Sequence, residues 1–562
     1  MYKKAASISA ALLSLYFSAS AQTTYLQLNQ EDYHVLDRLE TRSGQLSEDL
    51  FLSVKPVSRK GAVSFLQQQR RESRIGNLSE IDKYNVSRAI SVSGEWALEQ
   101  NGALDSKRPI LKSFYKKQPD MIYVNNDNFF FSANPIITAH GIYESGNVND
   151  KTLISSSRGL EARGLIAKKV GFYTMFTDNQ EAMPSFAGQW TDSADALPGN
   201  DFYTRKGAGK YDYLMARGYI DFAVVKDHIN VTFGYDKHFI GDGIRSLFLS
   251  DFPAGAAFLR LNTRVWKFNY QNLYMELQPQ YVRGADRELP HKYATMHHLS
   301  INATRWLNVG IFEGVIFDRR DRYEFSYMNP IILYRQVERS LGSPDNVVLG
   351  LNFKAIAAKH LQIYGQLLLD EFTSKELIAG NGYWANKFAV QVGGKYFDAF
   401  TVKNLDLQGE INIVRPYTYT HFDSTANYTH YNQPLAHPLG ASFAEVLGVV
   451  RYQPMKNLFI SLKGMYYNKG VDTGGFNYGG NIFKDYDTRA SGYGVRLING
   501  VKVQCAMVNL NLSYELRENL FIDLGAVHRR YVYETAPLPS QTTTYVYGGF
   551  RLNFNRREYD FF

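Results

Sequence analysis

Two adjacent carboxylates, Asp370 and Glu371, are the residues of this chain that most invite a catalytic reading. A pair of acidic groups flanking a glycosidic bond can serve as acid and base, or acid and nucleophile, provided both face one cleft. Successive residues of a strand point to opposite sides, so the alternating sequence around this pair is expected to separate them. The same rule sets His297 and His298 on different faces, where they would not share a metal ion, and leaves His437 isolated. The glycine-rich stretches GNGYW (380–384) and GVDTGGFNYGG (470–480) lack a following helix and a P-loop lysine, which argues against a phosphate cradle. No catalytic residue, metal site or cofactor is therefore expected, and the reading is non-enzymatic.

A second chemistry is better represented. Sugar recognition combines aromatic faces, which cover the apolar sides of the rings, with planar groups that hydrogen-bond hydroxyls and carboxylates. Three segments supply both kinds of residue: Arg415, Tyr417, Tyr419 and His421 in one, Tyr334, Arg335, Glu338 and Arg339 in another, and Asp242 with Arg245 in a third. A surface site for an acidic glycan would draw on all three. The competing reading is that such charges pin loops inside a pore. The middle group lies in MNPIILYRQVERSLGSPDN (328–346), which starts like a strand, and its charges are expected on an outer loop or in a lumen.

The elements that must position these residues follow from the pattern. The chain has 562 residues, 14% of them aromatic, with 44 glycines and 17 prolines, a composition that suits many strands. Lys3 and Lys4, an uncharged run from Ala5 to Phe17 and Ala19-Ser20-Ala21 read as a secretory signal peptide over 1–21. The single cysteine, Cys505, excludes a disulfide framework. Beyond residue 21 no apolar run is long enough for a membrane helix.

Residues 22–120 read as a small, mostly helical domain, with Tyr33, Leu36 and Leu39 on one helical face, a helix start at Ser58 and a capping box at Ser79-Glu80-Ile81-Asp82. From 128 to 562 the period becomes two. In VNLNLSYELRENLFIDLGAV, Val508, Leu510, Leu512, Tyr514 and Leu516 alternate with Asn509, Asn511, Ser513, Glu515 and Arg517, and the pattern resumes after a short turn. Tight hairpins are expected near 168, 227, 268, 305, 358, 401, 455 and 518. One strand before them (129–142) and one after (543–554) bring the total to about 18. An even number of strands with short turns at one end and long loops at the other describes an all-β outer-membrane barrel. The tail from Asn555 to Phe562 would then end in the periplasm or lengthen the last strand.

Several quoted stretches resemble a known family. EFSYMNPIILYRQVERSLGSPDNVVLGLNF (324–353), FIGDGIRSLFLSDFPAGAAFLRLNT (239–263), RGLEARGLIAKKVGFYT (158–174) and RPYTYTHFDSTANYTHYNQPLAHPLGASF (415–443) are similar to Wzi-type capsule-assembly outer-membrane proteins, in particular the Bacteroidota branch with the gliding-motility RemB-like proteins. YHVLDRLETRSG and SVKPVSRKGAVSFL resemble that branch's periplasmic helical region. The resemblance implies an 18-stranded barrel in the cell outer membrane with a helical periplasmic cap, no enzymatic activity, and a lectin-like hold on surface polysaccharide. The partners it implies are outer-membrane lipid and surface polysaccharide, and no nucleic acid. The alternative it carries is a gliding-motility or surface-adhesion component that meets motility or secretion machinery in the envelope.

Overall fold

A strand that alternates apolar and polar residues has one face for an apolar medium and one for hydrogen bonds, and closing a sheet of such strands removes its edges. The computed structural model describes residues 23–561 apart from 73–77, 98–104, 107–108, 111–112, 147–151, 282–287, 320–321, 332 and 535–539. The expected signal peptide, residues 1–21, lies outside the described residues. Eighteen antiparallel strands close into a barrel. In chain order they are β1 (Phe129–Ser145), β2 (Thr152–Ile166), β3 (Val170–Ala182), β4 (Lys210–Val225), β5 (Ile229–Asp236), β6 (Ala256–Val265), β7 (Phe268–Leu277), β8 (Lys292–Asn302) and β9 (Leu307–Phe317). They continue as β10 (Asn346–Ala358), β11 (Leu361–Glu371), β12 (Lys387–Tyr396), β13 (Leu405–Val414), β14 (Phe443–Met455), β15 (Leu458–Val471), β16 (Val501–Arg517), β17 (Leu520–Tyr533) and β18 (Gln541–Leu552). The ladder from β18 to β1 closes the ring.

All eight tight hairpins fall where the alternation places them, from residues 167–169 to 518–519. Asp227 and Asn519 adopt a φ of 63° in their turns, the left-handed conformation that short hairpins use and that Asp and Asn tolerate. The two faces separate as expected. Ile154, Phe176, Leu214, Phe233, Ile311, Leu351, Val392, Ile411, Val446, Leu512, Leu524 and Val546, each from a different strand, stand exposed on the outside. Between them Thr232, Asn509, Asn511, Ser513 and Asp523 are buried on the inside. Such a girdle matches hydrocarbon rather than water.

The lumen is filled from both ends. At the short-turn end lie α1 (Glu31–Ser43), α2 (Arg59–Glu72) and α3 (Glu80–Ser91) around a core that includes Leu36, Leu39, Phe65, Leu66 and Val86. The capping box forms: the Ser79 hydroxyl accepts from Asp82 N–H (2.9 Å) and the Asp82 carboxylate accepts from Ser79 N–H (3.2 Å). Ion pairs bolt this cap to the wall. Lys354 Nζ donates to Glu40 (2.7 Å), Arg88 to Glu515 (2.9 Å) and Asn519 (3.1 Å), and Arg38 pairs with Asp398 and Asp406.

From the opposite end, connection 237–255 folds inward until Phe239–Ile240 pairs with Val54–Lys55 of the N-terminal segment. Connection 415–442 follows it, and the hydroxyls of Tyr419 and Tyr428 donate to the carbonyls of Leu247 (2.8 Å) and Phe248 (2.7 Å). The tail corrects both sequence expectations, because after Leu552 it turns back into the barrel. Arg557 and Tyr559 meet Glu181 there, Lys463 pairs with Glu558 and Asp560, and the Phe561 ring lies 5.1 Å from Phe252. Burying charged tail residues is tolerable only where partners wait for them, and the luminal faces of β3 and β15 supply those partners. A cavity of about 650 Å³ remains between α1, connection 237–255 and the tail.

The other long connections carry α4 (Ser185–Ala194), α5 (Tyr334–Ser340) and α6 (Ser374–Ala379). The segment that holds α5 corrects a second expectation. Residues 325–328 form a 3-10 turn rather than a strand, and α5 follows. The Glu313 carboxylate caps that helix from the wall, accepting from the N–H groups of Tyr334 and Arg335 at 2.8 Å each. The described residues of connection 318–345 are therefore neither luminal nor a free loop: they lie flat on the outer face of the barrel. Tyr270 and Tyr274 donate to the carbonyls of Pro330 (2.6 Å) and Met328 (3.1 Å), and Thr295 bonds Tyr323 (2.6 Å). Their strand neighbours Leu273, Met296 and Phe312 join the luminal core, which fixes this polar row as outward-facing. Beneath the flap is a separate apolar cluster of Tyr293, Val315, Phe317, Tyr327, Tyr334, Val337 and Val347.

Candidate functional site

The ten residues singled out from sequence occupy three places instead of one. Asp242 and Arg245 are buried in the lumen. Asp242 accepts from Ser53 Oγ (2.6 Å) and lies 3.7 Å from Lys354 Nζ, while Arg245 donates to the Asp560 carbonyl and sits 3.8 Å from Glu445. Tyr334, Arg335, Glu338 and Arg339 belong to the outer-wall flap. Tyr334 is buried against His297 (ring centroids 3.8 Å), Glu338 is buried, and Arg335 pairs with Glu338 (3.0 Å) while remaining largely exposed, as is Arg339. Arg415, Tyr417, Tyr419 and His421 lie at the long-connection end.

Only the third group joins a cluster open to solvent. Connections 372–386, 415–442 and 472–500 converge there around Trp384, whose ring lies 4.9 Å from Tyr486, 6.0 Å from Tyr417 and 6.2 Å from Tyr383. The Arg489 guanidinium stands 4.3 Å over the Trp384 ring, a cation–π contact that fixes a planar donor beside an aromatic face. The Tyr493 ring lies tilted 5.3 Å from Tyr383 and is 55% exposed; Phe422, 4.2 Å from His421, is 44% exposed. Burial, with Lys387 adding to it, lowers the His421 imidazole below its usual range, so it packs as a neutral ring.

Local backbone chemistry explains how the crown holds its shape. Tyr417 and Tyr419 take φ of 64° and 75°, strained for bulky side chains and held by their neighbours. Tyr417 N–H donates to the Gly479 carbonyl (3.0 Å), its hydroxyl donates to Asn477 O (2.9 Å), and the Tyr419 hydroxyl reaches Leu247 as described. Gly479 has φ +81°, and a Cβ there would sit 2.6 Å from Tyr417 N. The glycines of GVDTGGFNYGG thus permit one loop to approach another, with no phosphate in the account. Arg415 donates to the carbonyls of Asn386 (2.8 Å) and Tyr383 (3.4 Å), so it ties two connections together.

The carboxylate pair needs a correction. A register shift between Leu369 and Glu371 at the end of β11 breaks the alternation, and both Asp370 (3.1 Å) and Glu371 (3.2 Å) reach the buried Lys387 Nζ. Asp370 also accepts from Tyr419 N–H (2.6 Å), which ties the pair to the crown's foundation. Among the histidines, His298 bonds Asn352 (2.9 Å) and His437 bonds Glu445 (2.8 Å). Sequence reasoning missed Trp384, Tyr486, Arg489 and Tyr493. The adjacent Tyr383-Trp384, framed by Gly380 and Gly382, was the available signal: rigid aromatics on a loop with glycine freedom on one side.

An 18-stranded closed barrel with a girdled exterior is the architecture of outer-membrane barrels. No protein-family model matches the chain, and no curated protein matches it in sequence. Among solved structures it is similar to Wzi of Escherichia coli, described as an outer-membrane protein involved in group 1 capsule assembly and a carbohydrate-binding β-barrel. The TM-score is 0.56 at 11% identity, over 95% of this chain and 100% of that one. The outer-membrane protein OprD of Pseudomonas aeruginosa aligns with TM-score 0.41 and 10% identity, over 75% of this chain and 93% of that one.

Proposed function

We propose that this protein is a non-enzymatic outer-membrane barrel that binds or organises surface polysaccharide, with the helical cap in the periplasm and the crown outside. The apolar girdle supports the membrane placement, and tight turns at one end with long loops at the other support the orientation. The barrel likeness to Wzi supports the fold in which a carbohydrate role is known. The observation that carries the reading is the crown itself: exposed Tyr493 and Phe422 beside Trp384 and Arg489, at the end that would face the surroundings. Tyr419, Tyr417, His421 and Arg415 act beneath it as its foundation, and Asp242 and Arg245 hold the inward loop.

In cells that carry surface polysaccharide, the combined variant Phe422→Ala/Arg489→Ala/Tyr493→Ala is expected to insert as a heat-modifiable barrel at normal levels and to shed polysaccharide into the medium. Retention equal to wild type with a folded barrel contradicts the reading. Among the described residues no feature favours the alternative of a gliding-motility or adhesion component.

A further inference from the structure

Connection 318–345 raises a question that polysaccharide binding does not answer. A bare wall would turn Tyr270, Tyr274, Thr295, His297 and Glu313 toward the surrounding medium, and the flap covers all of them. Its own outer surface is apolar: Phe325 is 80% exposed, Ile331 86% and Leu333 68%. Leu349, directly across the ladder from Glu313, is 41% exposed and belongs to the girdle. The flap's apolar surface is thus continuous with the girdle at one level of the wall. One helical turn further along, Arg335 and Arg339 stand four residues apart on α5, so they share a side of the helix. Glu338, buried beneath, offsets only one of the two charges.

We infer that the flap is a lipid-docking surface: Phe325, Ile331 and Leu333 enter the acyl-chain region, and Arg335 with Arg339 receive the phosphate of an anionic lipid headgroup. This combination of apolar anchors with neighbouring guanidinium groups is the physical signature of an interfacial segment on an anionic leaflet. The inference rests on the membrane placement above. It also accounts for a polar row on the outward face, which serves as the flap's mooring and not as a ligand site.

The test uses the full chain with Cys505→Ser and one new cysteine, at Ile331 on the flap or Leu349 on the girdle, each carrying an environment-sensitive fluorophore. The protein is reconstituted in phosphatidylcholine vesicles with a minor fraction of phosphatidylglycerol, one or the other lipid brominated on its acyl chains. Both labels are expected to be quenched. At Ile331, brominated phosphatidylglycerol should quench about five-fold more effectively per lipid, and Arg335→Gln/Arg339→Gln should abolish that preference. Quenching at Leu349 but not at Ile331 overturns the flap's insertion. Equal quenching by the two lipids at Ile331 overturns the headgroup assignment. Loss of quenching at both positions fails the membrane placement itself.

Discussion

Lys354 shows what a single residue does in a filled barrel. It projects from β10 into the lumen, where its ammonium is buried between Glu40 (2.7 Å) and Asp242 (3.7 Å). Breaking a buried pair from one side strands the other charge, at a cost of about 3–5 kcal/mol, whereas replacing both partners with apolar residues is far milder. Lys354→Met is therefore expected to lower the thermal midpoint strongly and to loosen the N-terminal cap toward protease. Lys354→Met/Glu40→Met should recover part of that loss, with Asp242 left to its Ser53 hydrogen bond. Equal damage in the single and double variants would contradict this account of the cap's attachment. The alternation in VNLNLSYELRENLFIDLGAV set Asn511 opposite its apolar neighbours, and Lys354 follows the same rule on its own strand. It did not announce that the lumen is packed, with inward positions hydrogen-bonded to one another. Asn511, for example, accepts from the Tyr547 hydroxyl (2.9 Å) and donates to Ser513 (2.8 Å).

At the scale of elements, the cap and the short turns meet through titratable groups. Glu518, in the turn between β16 and β17, accepts from the Ser91 hydroxyl at the end of α3 (3.1 Å). Burial raises its carboxyl from the ordinary 4.5 to about 7, although Arg88 and the Ser91 hydroxyl pull the other way. The unfolded chain ionises this group first, so the folded state holds the extra proton between those values. Stability from this site thus falls as pH rises from about 4.5 to about 7 and is level above. Glu518→Gln removes that slope. Its thermal midpoint, compared with wild type, should gain progressively over this range and then hold steady; a difference independent of pH would contradict the assignment. Elements also mark the limit of sequence legibility. Hairpins were readable because period two and turn residues are local. The destination of a long connection is not local: 237–255 goes inward, 318–345 goes onto the wall, and only the strands they meet decide. A partial signal existed for the flap, since Thr295, His297 and Glu313 interrupt the outward register with polar groups that lipid would reject.

For the whole molecule, cap, inward loops and returning tail together turn a barrel of pore size into a plugged one. In a planar bilayer the wild-type protein is expected to show no steady open-pore conductance, because the cavity of about 650 Å³ is bounded by these three elements. A stable ohmic conductance at low voltage would contradict the plugged architecture. With transport through the lumen set aside, the proposed polysaccharide-binding role falls to the crown. The crown was partly legible: Arg415 to His421 marked one of its three loops, while the partners from 380–384 and 486–493 came into view only when three connections converged in space. The most direct test is calorimetric titration of the purified, detergent-held protein with polysaccharide isolated from the surface of the cells that make it. Saturable binding by wild type, weakened at least ten-fold by Phe422→Ala/Tyr493→Ala without loss of the heat-modifiable fold, is the predicted result. No binding by wild type, or identical binding by the variant, would contradict it.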